Sequence, residues 1–140
     1  MQKKNLKDNY GAIADYTKAI ELEPNDINYY YNRALAKSNL KDNYGAIADF
    51  SKIIELDPNH AEVYNNRALA KSNLKDNYGA IADYTKGIEL DPNNSKAYYN
   101  RALAKYYLKD YNGACQDGRK AQSLGNEYSE IERFIQDVCN

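Results

Sequence analysis

A period of 34 residues runs through this chain and limits its fold more than any other feature. The string Asn-Leu-Lys-Asp-Asn-Tyr-Gly-Ala-Ile-Ala-Asp stands at 5–15, 39–49 and 73–83. Segments 32–49 and 66–83 are identical, and Pro24, Pro58 and Pro92 keep the same interval. A degenerate fourth copy, Lys109-Asp110-Tyr111-Asn112-Gly113-Ala114-Cys115-Gln116-Asp117, holds the register. A unit of this length is one supersecondary element that cannot bury its apolar face alone, so neighbouring copies must stack into a solenoid.

Each period carries two helical patterns. Tyr30, Ala34, Ala36 and Leu40 recur at helical spacing, and Lys41-Asp42-Asn43 then supplies turn chemistry. Ala46, Ile47, Phe50, Ile53, Ile54 and Leu56 form the second stripe, which Asp57-Pro58-Asn59 ends. Proline lacks the backbone donor and disfavours a helical residue before it.

These residues resemble the tetratricopeptide repeat, whose pattern runs Trp-x2-Leu-Gly-x2-Tyr, then Ala-x3-Phe, then Pro. Ala46, Phe50 and Pro58 match its second half, as do Ala12, Tyr16 and Pro24, and Ala80, Tyr84 and Pro92. In the first half Tyr30, Tyr64 and Tyr98 replace tryptophan, and Arg33, Arg67 and Arg101 replace leucine. Ala34, Ala68 and Ala102 replace glycine, and Lys37, Lys71 and Lys105 stand at the second aromatic position. A Tyr-x-Asn-Arg-x-Leu-Ala-Lys start is similar to a bacterial-type subclass of that family. The resemblance implies an all-α, right-handed superhelical solenoid of antiparallel helix pairs. It divides the single domain 1–140 into a partial repeat (1–26), two full repeats (27–60 and 61–94), a degenerate repeat (95–126) and a capping helix (127–140).

Both ends of the array depart from the pattern. The first copy starts a few residues before its turn, so most of its first helix is expected to be missing. Its second helix, Tyr10 to Leu22, would show Tyr10, Ile13, Tyr16 and Ile20 to solvent or to another molecule. At the other end Gly118 stands where Tyr16, Phe50 and Tyr84 stand, and Gly125-Asn126 separates two helices. Tyr128, Ile131, Ile135 and Val138 make one apolar stripe, so Phe134 or Tyr128 is expected to fill the space of the missing ring at Gly118. Copies one to three read Asn-Tyr-Gly before the second helix and copy four reads Tyr-Asn-Gly. Either the turn changes or the tyrosine packs differently.

Nineteen basic against twenty acidic residues give a net charge of −1, which opposes nucleic-acid binding through phosphate neutralisation. No apolar run is long enough to span a membrane, and the basic start lacks the apolar run of a signal peptide, so a cytoplasmic chain is expected. Cys115 and Cys139 then read as two reduced thiols, with a disulfide to the last helix as the lesser alternative. His60 lies in a turn without a second ligand nearby, so no metal and no cofactor is expected. No nucleophile–base pair or phosphate loop is present, and an enzyme is not expected. Asp15, Asp49, Asp83 and Asp117 recur with the period and read as structural, with Arg33 meeting either Asp15 or Asp49.

What remains is a surface. The resemblance implies that first helices line a concave groove and bind protein or peptide there. Helical spacing assigns to that face Asn28, Tyr31, Asn32, Leu35, Ser38 and Asn39 in copy two. Copy three contributes Glu62, Asn65, Asn66, Leu69, Ser72 and Asn73, and copy four contributes Lys96, Tyr99, Asn100, Leu103, Tyr106 and Tyr107. Asn32, Asn66 and Asn100 form an amide ladder that either pairs with an extended peptide or bridges helices. Tyr99, Tyr106 and Tyr107 either anchor a ligand or pack on the following helix. Lys96 is the one strong cation on the face, which disfavours a clamp for a C-terminal carboxylate. A non-catalytic scaffold for an extended or helical peptide is the leading expectation. The alternative is head-to-tail or swapped self-assembly through the incomplete first repeat.

Overall fold

The repeated Lys-Asp turn sets the architecture. Lys41, Lys75 and Lys109 adopt left-handed backbone, with φ of 61°, 63° and 64°. The next residue then caps a helix: Asp42, Asp76 and Asp110 accept from the N–H of Gly45, Gly79 and Gly113 at 2.9, 3.0 and 2.9 Å. Glycine is required there, because a Cβ on Gly45 would fall 2.2 Å from Asp42 Oδ2. In this computed structural model, residues 2–125 and 129–140 are described, apart from the side chains of residues 2–5 and 7.

Among the described residues there are eight helices and no strands. They are α1 (Gln2–Leu22), α2 (Ile27–Asn39), α3 (Asn43–Leu56), α4 (Ala61–Asn73), α5 (Asn77–Leu90), α6 (Ser95–Tyr107), α7 (Tyr111–Ser123) and α8 (Glu130–Val138). Each helix packs on the next in sequence, and α4 also touches α6. This nearest-neighbour stacking is a tetratricopeptide-type superhelix closed by α8.

Small side chains let the helices approach. Ala34, Ala46, Ala68, Ala80, Ala102 and Ala114 are all fully buried. Around them pack Phe50, Ile53, Val63 and Tyr84, each contributing about 1.5–3 kcal/mol by leaving water. Tyr30 and Tyr64 also fasten the inter-repeat loops, donating to the carbonyls of Pro24 and Pro58 at 2.8 and 2.9 Å.

Three expectations change, and one open alternative is resolved. The turn expected near Lys7-Asp8-Asn9 is absent, and α1 runs straight through it. Later copies close that turn because a first helix folds back on its partner. In copy one the backbone instead keeps its helical bonds through this segment, where the later copies place a left-handed lysine. Arg33 pairs with Asp49, while Asp15 faces solvent. Cys115 and Cys139 are joined in a disulfide, because α8 returns along α7 and brings their Cα atoms within 5.1 Å. Ile20 packs against the first core, leaving Leu6, Tyr10 and Leu22 as the exposed large side chains of α1.

The tyrosine shift in copy four alters packing and leaves the turn intact. Tyr44 and Tyr78 are 75% and 77% exposed, whereas Tyr111 is 48% exposed and meets Tyr106 edge-on at 5.7 Å.

Candidate functional site: the α2–α4–α6 face

A charged rung between the helices of each repeat holds this face in register. Arg33 donates from Nε and Nη2 to the two oxygens of Asp49 at 2.9 and 2.6 Å, and from Nη1 to Thr17 at 3.2 Å. Lys37 Nζ adds a contact to Asp49 at 3.1 Å. Arg67 repeats this with Asp83 and Ser51, and Arg101 with Asp117 and Thr85. Lys71 and Lys105 join at 2.9 Å each. Each arginine also lies over the tyrosine three residues before it, at 5.6–5.9 Å. Hydrogen bonding to the carboxylate pushes the Arg33 and Arg67 guanidinium groups up. The rungs thus tie three successive helices together. The lysines at the second aromatic position were the sequence signal for this arrangement, since their period matches that of the aspartates.

The groove residues divide into bridging and open groups. Asn39 and Asn73 donate to Asn9 and Asn43 on the preceding second helices, at 3.3 and 3.4 Å. Asn66 donates to the Tyr31 hydroxyl at 3.3 Å, and Tyr31 donates to Glu62 at 2.8 Å. Burial, and then Glu62, push the Tyr31 phenol up. Asn28, Asn32, Leu35, Glu62, Leu69 and Lys96 are exposed. The amide ladder is therefore split, with Asn66 bridging, Asn32 open and Asn100 lining a cleft.

Between α4 and α6 the face opens into two joined clefts of about 190 and 250 Å³, which share Leu69, Tyr84 and Asn100. Glu62, Asn65, Asn66, Asn94 and Lys96 line the first, while Ser72, Asn73, Leu103 and Tyr107 line the second. Tyr84 forms the floor. Burial raises its phenol to about 12, against the lowering effect of Ser72 and Asn100 beside it, and its hydroxyl meets no hydrogen-bond geometry.

A third cleft, about 270 Å³, lies between α6 and α8, with Tyr99, Leu103 and Tyr107 on one wall and Glu130, Arg133, Phe134 and Asp137 on the other. Phe134 contacts the Gly118 backbone region, where an added Cβ would lie 3.2 Å from its Cε1. Phe134 thus takes the space of the missing ring, while Tyr128 lies outside the described residues. Phe134 also meets Tyr99 and Tyr106 edge-on at 5.8 and 6.0 Å. Tyr106 therefore packs on α7 and α8, and Tyr107 stays in the groove, 67% exposed. Helical spacing alone does not bring Glu130, Arg133 and Asp137 to this face; only the return of α8 does.

No group of side chains with metal-ligand geometry occurs among the described residues, and no described helix is long and apolar enough to cross a membrane. Paired helices stacked through a periodic ionic rung, with clefts open on the α2–α4–α6 face, define a helical-repeat protein. Tetratricopeptide repeat profiles match residues 3–26, 15–48, 61–94 and 83–116, and the chain belongs to the tetratricopeptide repeat family. No curated protein sequence is matched. A crystal structure of MamA superposes with a TM-score of 0.91 at 22% identity, over 97% of this chain and 80% of that one. The TPR2B domain of yeast Sti1, solved as a complex with pHsp70, aligns at 0.76 and 27% identity, over 81% of this chain and 95% of that one. The Arabidopsis OM64 TPR domain aligns at 0.77 and 27% identity, covering 80% and 93%.

Proposed function

We propose that this chain is a non-catalytic scaffold that binds a peptide segment of another protein along the α2–α4–α6 face. The joined clefts between α4 and α6 carry this reading. They combine the apolar Leu69, Leu103 and Tyr107 with the amides of Asn66 and Asn100. An amide both donates and accepts, so it pairs with a peptide backbone whatever the sequence. The Sti1 domain, solved as a complex with pHsp70, supports the same use of the fold. Charge separates this groove from one built for an acidic tail: Lys96 and Arg133 stand beside Glu62, Glu130 and Asp137. A mixed or uncharged peptide with apolar anchors fits it better.

A displayed random-peptide library, followed by fluorescence polarisation, tests the reading. Asn100→Ala and Tyr107→Ala should each weaken selected peptides by roughly tenfold, about 1.4 kcal/mol. Unchanged affinity in both variants would move the site off this face. A second reading, self-association through α1, is favoured by the exposed Leu22 and Tyr10. Light scattering behind size-exclusion chromatography would reveal it as a mass that rises with concentration, and a constant monomer mass would remove it.

A further inference from the structure

Tyr31, Asn65 and Tyr99 hold one register position on α2, α4 and α6. Tyr31 fills the space between α2 and α4. Its ring meets Phe50 edge-on at 6.3 Å, its hydroxyl donates to Glu62 Oε1 at 2.8 Å, and it accepts from Asn66 Nδ2 at 3.3 Å. Tyr99 is set against Phe134 at 5.8 Å. Asn65 brings no ring and lies over Gly87, where a Cβ would fall 2.1 Å from its Oδ1. The position of Gly87 is held one repeat earlier by Ile53. Two exchanges, tyrosine to asparagine and isoleucine to glycine, thus coincide with an open cleft of about 190 Å³ between α4 and α6. Two polar atoms of its lining residues, Asn65 Oδ1 and the Tyr84 hydroxyl, are buried without a hydrogen-bond partner.

We propose that this cleft receives one tyrosine side chain of a bound peptide, in the place Tyr31 takes between α2 and α4. The inference rests on the reading of the concave face as a peptide site and names the residue its central cleft selects. By the 34-residue correspondence Tyr84 stands for Phe50, Lys96 for Glu62 and Asn100 for Asn66. A guest ring meets Tyr84 as Tyr31 meets Phe50, and its oxygen accepts from Asn100 as Tyr31 accepts from Asn66. The change from Glu62 to Lys96 reverses the remaining hydrogen bond. A lysine only donates, so the guest oxygen is an acceptor toward both residues, and a phenol is preferred to a bare phenyl ring. The cleft is smaller than the roughly 300–1,000 Å³ of whole-ligand pockets, which suits one side chain. An aromatic anchor with a polar tip is also the usual centre of a binding hot spot.

N-acetyl-tyrosinamide is the probe, titrated into the whole chain while the side-chain amide signals of Asn66 and Asn100 are followed by NMR. Both should shift saturably, N-acetyl-phenylalaninamide should bind more weakly, and Lys96→Ala should remove that difference. Asn65→Tyr lets the chain fill its own cleft and should weaken the probe by at least about tenfold. The proposal is overturned if neither amide shifts saturably, or if folded Asn65→Tyr binds the probe unchanged. Library peptides that bind the concave face without a tyrosine, and ignore Asn65→Tyr, would overturn it while the broader groove reading stands. A probe that titrates into the cleft of a chain that captures no peptide would support the subsite and refute the groove reading.

Discussion

Asp83→Asn tests whether the ionic rungs hold the array together. Asp83 is 5% exposed and receives three charged contacts: Arg67 Nε at 2.8 Å, Arg67 Nη2 at 2.7 Å and Lys71 Nζ at 2.9 Å. The neutral amide keeps the shape but leaves two cations facing an NH₂ group or an uncharged oxygen. Removing one partner of a buried pair costs about 3–5 kcal/mol. Arg67 and Lys71 retain 19% and 21% side-chain exposure, so water recovers part of this and the lower end applies. A loss of about 3 kcal/mol corresponds to roughly 10 °C in Tm for a chain of this size. Urea and thermal unfolding followed by circular dichroism measure both. Asp15→Asn is the internal control, because Asp15 has the same register on α1 but is exposed and belongs to no rung. It should change stability by less than about 0.5 kcal/mol. Equal effects in the two variants, or a loss below about 1 kcal/mol at Asp83, would refute the rung as a stabilising element.

Tyr84→Phe removes a buried hydroxyl that has no partner, and should leave stability at neutral pH unchanged or raise it by up to about 1 kcal/mol. The phenol is held protonated to about 12 in the folded chain, so alkali ionises the unfolded state first. The folded chain therefore loses no stability to this group below pH 10, and loses it as pH rises from 10 towards 12, by about 1.4 kcal/mol per unit. Urea midpoints between pH 9 and 11 should fall more steeply for the parent chain than for the variant. Lys75→Gly relieves a left-handed lysine at φ 63° and should add about 1 kcal/mol, read from the same urea curves. Phe134→Ala empties the space beside Gly118 and should cost about 2 kcal/mol, less than a fully buried phenylalanine because the ring is half-buried. Thiol titration of the unreduced protein should find no free thiol, and reduction should lower stability by about 3 kcal/mol given the separation of 24 residues.

The fold was legible because its signals are periodic. Proline at 24, 58 and 92, aspartate before each second helix and alanine at each crossing recur at one interval, and each has a local physical meaning. Features that depended on distant parts of the chain were not legible. Whether Arg33 meets Asp15 or Asp49 depends on the angle between helices, which the period leaves open. Cys115 and Cys139 are 24 residues apart, and only the return of α8 along α7 makes them neighbours. Composition favoured a reducing compartment and free thiols, so the disulfide and the cytoplasmic expectation now pull in opposite directions. The groove list mixed bridging and open residues, because helical spacing gives a direction and not a partner. Asn39 and Asn32 point to the same face, yet only Asn39 donates to the helix behind it.

The division between constant and variable positions explains how an array of near-identical units acquires one distinctive site. Tyr64, Arg67, Lys71 and Asp83 repeat Tyr30, Arg33, Lys37 and Asp49 without change, and they fix the spacing and angle of the helices. With that frame held, a single exchange on the concave side alters local shape without altering the superhelix. Tyr31 closes the first inter-repeat space with its own ring and hydroxyl, while Asn65 over Gly87 leaves the next one open. Lys96 in place of Glu62 then changes the charge at the rim from acceptor to donor. Neighbouring repeats therefore differ in ring, charge and volume at register positions 28, 31 and 53 and their successors, and on the proposed reading these are the positions that would discriminate between peptides.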